Sequence, residues 1–217
     1  ATAFRPEDAG PVPGHAAISL KKIMTLLSSL CVYCGSGSGT DPAHRQAAAG
    51  LGRLLADHGV TLVYGGGRIG LMGVCADAVL AAGGRVVGVI PEHLNKVEIG
   101  HRGVSKLHVV PSMHVRKQMM FELADAFAVL PGGIGTLDET FEIITWRYLG
   151  LHDKPVVLVD NKGYWRPFLG LIDHVIASGF AKPAIRQLYQ VVERVEDVIP
   201  AITAAPQPVL AAAADRL

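Results

Sequence analysis

The sequence predicts an α/β protein whose parallel sheet is covered by helices on both faces. Three observations carry this. Short apolar runs recur without polar alternation, as in strands buried on both sides. The early runs end in glycine turns, and each turn opens a helical segment within a few residues. The 217 residues are half hydrophobic and only 18% charged, which suits one compact domain with tails rather than a disordered chain.

The first strand is expected over residues 30–34, leading into Gly35-Ser36-Gly37-Ser38-Gly39-Thr40. Asp41 then offers an N-cap and Pro42 a first-turn proline for a helix over 43–58, which Gly59 ends. A second strand over 60–64 closes on Gly65-Gly66-Gly67, a helix over 69–82 ends at Gly83-Gly84, and 85–90 is the third strand. From 91 to 103 the pattern breaks into a polar stretch holding His93, Glu98 and His101, the longest irregular stretch in the domain and so a candidate functional loop. A strand over 106–110 precedes a helix over 113–125 capped by Ser112. Next come a buried strand over 126–130, a helix over 136–149, a strand over 155–159 and a helix over 164–177 ended by Gly179. A short strand over 188–192 and a closing helix over 196–203 complete the domain, taken as 29–203. Residues 1–28, rich in Ala, Pro and Gly, read as an N-terminal extension with Met24 a candidate original start, and 204–217 as a C-terminal tail.

Several functions are disfavoured at once. A formal net charge of +1 gives no basic field for nucleic acid, and no stretch is long enough to span a membrane. The three cysteines make an odd count that suggests no disulfide framework. Cys31 and Cys34 lie on one strand at positions that face opposite ways, and no second pair completes a zinc site, so they read as buried thiols in a reduced, cytoplasmic setting. No His-Glu-x-x-His, Gly-x-Ser-x-Gly or Walker pattern occurs, which leaves metalloprotease, nucleophilic hydrolase and P-loop chemistry without support.

The chemistry centres on Pro131-Gly132-Gly133-Ile134-Gly135-Thr136-Leu137-Asp138-Glu139, a glycine turn joining a buried strand to a helix. The first turn of a helix has unpaired N–H groups and partial positive charge, and glycines allow close approach, so a phosphate belongs there. Glu139 has two readings: the far end of a Thr136-x-x-Glu139 capping box, or a carboxylate of the site. Leu137, Thr140, Phe141, Ile144 and Tyr148 are expected to form the buried face of that helix, with Glu139 off it. On the preceding helix Arg116 and Lys117 share a stripe with Met113, Met120, Leu123 and Ala124. A lysine stem there can pack while its head reaches water, whereas Arg116 beside an anion site points to function; His114 reads as a surface or supporting residue. Gly65-x-Gly67-x-x-Gly70 matches a dinucleotide fingerprint but lacks the acidic residue about 20 positions on. Chain reversal and close packing explain the same glycines, and both readings stand at this level.

Tyr64-Gly65-Gly66-Gly67, Gly70-Leu71-Met72-Gly73, Met113-His114-Val115-Arg116-Lys117 and the Pro131 to Glu139 turn together resemble the Lonely Guy (LOG) family, cytokinin riboside 5′-monophosphate phosphoribohydrolases. The resemblance runs over about 30–192, through Leu149-Gly150 and His152-x-Lys154-Pro155. It implies a Rossmann-like, doubly wound parallel sheet in a homodimer that hydrolyses the base–ribose bond of AMP substituted on its exocyclic amine, or of AMP itself, without cofactor or metal. Free base and ribose 5-phosphate would be the products. By resemblance Arg116 and Glu139 are the catalytic pair, while Lys117, Gly132, Gly133, Ile134, Gly135 and Thr136 bind nucleotide. Glu98 and Thr145 correspond to substrate contacts, and Val115 departs from the family's usual Glu. The alternatives are a non-enzymatic carrier of nucleotide or molybdenum cofactor, or an NAD(P)-binding oxidoreductase. The lysine decarboxylase label used for some relatives finds no pyridoxal-site feature in the sequence.

Overall fold

Seven parallel strands form one sheet in a computed structural model of the protein, which describes residues 27–96 and 100–205. They are β1 (Ser29–Tyr33), β2 (Thr61–Tyr64), β3 (Val86–Pro91), β4 (Lys106–Val110), β5 (Ala126–Val129), β6 (Val156–Val159) and β7 (Gln190–Val192). Their order is β4-β3-β2-β1-β5-β6-β7, every neighbouring pair being parallel. The chain therefore winds outward from β1 to β4 and then crosses back to set β5 against β1. That reversal makes the β1/β5 junction the point where the two turns diverge and leave a crevice beyond the strand ends.

Alternation along the strands divides the core. Leu30, Val32, Leu62, Ala126 and Val157 face helices α1 (Pro42–Asp57), α2 (Gly70–Ala81) and the closing α7 (Val198–Ala204). Cys31, Val63, Phe127, Val129 and Leu158 face α4 (Met113–Glu122), α5 (Ile134–Tyr148) and α6 (Arg166–Ala177). Cys31 and Cys34 fall in different cores, and with Cys75 they are buried free thiols, as the strand reading requires. Local signals act as expected: Asp41 accepts from the Ala43 N–H with Pro42 opening α1, and Ser112 accepts from the Val115 N–H to cap α4.

The structure differs from expectation in four places. The irregular 91–103 stretch contains a one-turn helix, α3 (Glu92–Lys96), while residues 97–99 lie outside the described residues. The helix expected over 164–177 is a 3-10 turn (Asn161–Gly163) followed by α6, whose start is set by Pro167 in its first turn. The closing helix is likewise preceded by a 3-10 turn (Val195–Asp197), and a further one (Pro183–Leu188) leads to β7. The proposed extension and tail fall almost wholly outside the described residues. Among those described, no helix is long and apolar enough to cross a membrane.

The central strands are clasped at their entry. Oδ2 of Asp125, one residue before β5, lies 2.7–3.0 Å from the backbone nitrogens and hydroxyls of Ser28 and Ser29 at the start of β1. Partial burial works against the charge, but these donors outweigh it and hold the carboxyl below its ordinary pKa. A depressed folded-state value means that the stabilisation is present above the unfolded pKa and lost as pH falls through the folded one. Asp125→Ala is expected to cost about 1 kcal/mol in urea unfolding at neutral pH. The gap from wild type should narrow below roughly pH 4.

Candidate active site

The site lies at the β1/β5 junction. Gly35 donates to the Pro131 carbonyl at 3.0 Å, tying the turn after β1 to the turn after β5. A Cβ on Gly132 would run into the Thr136 side chain and the Gly35 nitrogen, so packing dictates that glycine. Gly133 and Gly135 differ: an added Cβ meets nothing within 4 Å at either, and neither has a positive φ. Neither protein contact nor backbone strain requires them, and what they keep open is access to the main chain. Gly133 is the N-cap of α5 and no side chain caps the helix, which leaves its first-turn N–H groups directed at the crevice.

A buried ion pair stands over this turn. Arg116 on α4 and Glu139 on α5 are each 8% exposed. Nη1 of Arg116 donates to Glu139 Oε1 at 2.9 Å, and its Nε donates to the Val89 carbonyl at the end of β3 at 3.2 Å. Burial pushes the Glu139 carboxyl above its ordinary pKa, while the Arg116 guanidinium pulls it back without cancelling the rise. The guanidinium closes over Gly65, where a Cβ would collide with Nη2. Gly66 presses on Val89 and Ile90, and Gly70 on the Ser36 carbonyl, so close packing accounts for two of the three fingerprint glycines, Gly65 and Gly70.

These groups border a cavity of about 260 Å³. A second hollow of about 460 Å³ adjoins it between the two turns, sharing Ser36 and Gly133 and reaching His44 and Tyr164. Of the residues singled out from sequence, Arg116, Glu139, Gly133, Ile134, Gly135 and Thr136 line the cavity, and Gly132 lines the neighbouring hollow. Lys117 is not brought in: one position beyond Arg116 on a helix it is turned by about 100°, and its ammonium pairs with Asp138 at 3.2 Å and Glu142 at 2.9 Å. Thr145 lies exposed further along α5, and Glu98 is outside the described residues.

Three expectations are corrected. Glu139 sits on the buried stripe of α5 with Thr136, Thr140, Ile143 and Arg147, because Arg116 compensates its charge; Phe141 is 37% exposed instead. The capping box does not form, since the helix starts at Ile134 and Thr136 is already inside it. Met113 and Leu123 are partly exposed, leaving Arg116 and Met120 as the buried residues of α4. Tyr33, Ser36, Gly65, Met72, Leu94 and Met120 also line the cavity and were not assigned to the site from sequence. Ser36 and Gly65 carried a signal, each lying in a glycine turn that follows a strand, whereas the apolar residues carried none separable from core packing.

A doubly wound parallel sheet with an uncapped helix N-terminus and a buried arginine–carboxylate pair at its switch point defines a Rossmann-like α/β protein with a candidate anion site there. The profile of the family described as "Possible lysine decarboxylase" matches residues 72–202. The chain is 49% identical over 175 residues to the cytokinin riboside 5′-monophosphate phosphoribohydrolase of Rhodococcoides fascians, covering 80% of this chain and 88% of that one. To the LOG1 enzyme of the same name from Arabidopsis thaliana it is 41% identical over 186 residues, covering 82% and 87%. The chain belongs to the LOG family. Among solved structures, the molybdenum cofactor binding protein of Rippkaea orientalis shares the fold, with TM-score 0.63 and 21% identity over 82% of this chain and 96% of that one.

The glycines separate by role in a stability measurement. Gly65→Ala is expected to lose about 1–3 kcal/mol in urea unfolding, because Arg116 can yield only by leaving its partners. Gly133→Ala should stay within about 0.5 kcal/mol of wild type.

Proposed function

We propose that the protein hydrolyses the N-glycosidic bond of nucleoside 5′-monophosphates, with cytokinin ribotides (AMP bearing a substituent on its exocyclic amine) as substrates. The products are free base and ribose 5-phosphate. The observation that carries this is the buried Arg116–Glu139 pair set over an uncapped helix start. The names of the relatives at 41–49% identity support the same reaction.

In this reading the first-turn amides of α5 and the Thr136 hydroxyl take the phosphoribosyl group. Arg116 holds ribose or phosphate oxygens through its planar fork and fixes them against Glu139. As the C1′–N9 bond breaks, its electron pair leaves with the base, which takes up a proton, and the sugar becomes oxocarbenium-like. The Glu139 carboxylate stabilises that cation and orients the water whose oxygen bonds to C1′, and the proton this water gives up balances the one the departing base takes, as in glycoside hydrolysis. Ile134, Met72, Leu94 and Met120 give the cavity apolar wall suited to a base and its substituent. No lysine lines this cavity among the described residues, so it does not fit a pyridoxal Schiff base.

The finer assignments belong to the same proposal. Phe141, Thr145 and Leu149 follow each other at four-residue spacing on one exposed stripe of α5, and Met113 and Val115 are exposed on α4. We assign this face to a homodimer contact, where Thr145 and Lys117 would meet substrate within an assembled pair. Three buried free thiols suit a reducing, cytoplasmic compartment.

Incubation with AMP and with isopentenyladenosine monophosphate, followed by chromatography, should show free base; binding without release from either would point to a carrier instead. Glu139→Gln should keep the fold and lower kcat by about 10²–10⁴-fold. Because burial raises the Glu139 pKa, the proton is lost later than from an ordinary glutamate. The acid limb of kcat/KM should therefore lie above the usual 4.5 and be absent from the residual activity of the variant. Phe141→Glu should shift the protein from dimer to monomer in light scattering, and a wild-type monomer would remove the dimer assignment.

A further inference from the structure

β6 runs into a turn that backbone preference alone does not favour. Lys162 has φ +60°, the one non-glycine in the left-handed region among the described residues, and Gly163 follows at +74°. Such a residue costs on the order of 1 kcal/mol and persists where its surroundings hold it. Here Asp160 does the holding: its carbonyl accepts from the Gly163 N–H at 3.1 Å and its Oδ1 from the Trp165 N–H at 2.6 Å. Trp165 is 1% exposed and fixes the turn to the core.

What the turn delivers is Tyr164. Its hydroxyl donates to the Gly132 carbonyl at 2.5 Å, across 32 positions of sequence. Its ring meets Trp165 edge-on at 5.1 Å and His44 at 5.5 Å. His44 in turn donates from Nδ1 to Asn161 Oδ1 at 3.2 Å, closing a ring of contacts around the turn. Tyr164 is itself 40% exposed, so apolar burial does not account for this placement.

The acceptor is the informative part. The Gly132–Gly133 peptide has no side chain on either side to resist rotation, which makes it freer to flip than any other kind of peptide. It also opens α5. In a planar trans peptide the C=O and N–H point opposite ways, so a partner that captures the Gly132 carbonyl also sets the direction of the Gly133 N–H. We propose that Tyr164 is a positioning residue for the anion-binding turn, its hydroxyl latching the Gly132–Gly133 peptide in the orientation that receives the phosphoribosyl group. The inference rests on the phosphoribohydrolase reading and adds to it a residue outside the cavity that acts through the main chain.

Tyr164→Phe removes the hydroxyl and keeps the ring, and should fold with a thermal midpoint close to wild type. Ribose 5-phosphate is the probe, titrated calorimetrically into the full chain. The expected result is a Kd about tenfold higher in the variant, the equivalent of one lost hydrogen bond. The KM for isopentenyladenosine monophosphate should rise in parallel. An unchanged Kd overturns the latch and leaves the proposed reaction standing. A fall in kcat with Kd and KM unchanged also overturns it, since that pattern marks loss of folded protein alone. Wild-type protein that neither binds ribose 5-phosphate nor releases base overturns the functional reading, and the latch with it.

Discussion

The rest of the site depends on the compensation of two buried charges, Arg116 and Glu139. Each would be costly alone, since an ion withdrawn from water must recover its solvation from partners. Arg116 recovers it from Glu139 and the Val89 carbonyl, and the geometry of that recovery fixes three elements at once: α4 on one side, α5 on the other, and the end of β3 beneath. Position 65 is a glycine because the guanidinium occupies the space a side chain would take. A pair of this kind adds little net stability over apolar residues of similar volume. Its place beside an open cavity is therefore accounted for by chemistry rather than by folding.

Much of this architecture was legible in the sequence because strands buried on both faces must be continuously apolar. All of β3, Val86–Pro91, is buried, and so are β5 and β6. The glycine turns between such runs and helices then admit few topologies. Glu139 was only half legible. Thr136-x-x-Glu139 satisfies the capping pattern, and a charged residue by itself argues for an exposed face, so its burial becomes apparent only once a cation 23 positions earlier is known to point at it. Lys117 shows the converse limit: it shares a motif with Arg116, but adjacent helical positions diverge and its partners are Asp138 and Glu142. Tyr164 was not legible, because nothing in Asn161-Lys162-Gly163 announces that the lysine takes the left-handed conformation.

The glycines of the site look alike in sequence and do two different jobs. Gly65, Gly70 and Gly132 are small because protein atoms crowd them, and Gly66 and Gly70 also adopt positive φ. Gly133 and Gly135 have open space and ordinary backbone. Composition cannot tell these classes apart, and packing separates them at once. In the proposed reaction the second class marks the surface where the ligand meets main chain, because the volume left there is filled by no protein atom within 4 Å of an added Cβ.

Openness at Gly133 and Gly135 creates a problem that the fold must solve elsewhere. A backbone bare enough for a phosphate to approach has no side chains of its own to hold its peptides in place. Rigidity has to come from outside the turn, and it does: Gly35 holds the Pro131 carbonyl, Tyr164 holds the Gly132 carbonyl, and Thr140 holds the Thr136 carbonyl one helical turn on. The three donors come from the turn after β1, the turn after β6 and α5 itself. All three fix carbonyls, and none of these bonds uses the first-turn N–H groups of α5. An anion site made from main chain needs that division, with acceptors consumed by the scaffold and donors left for the ligand.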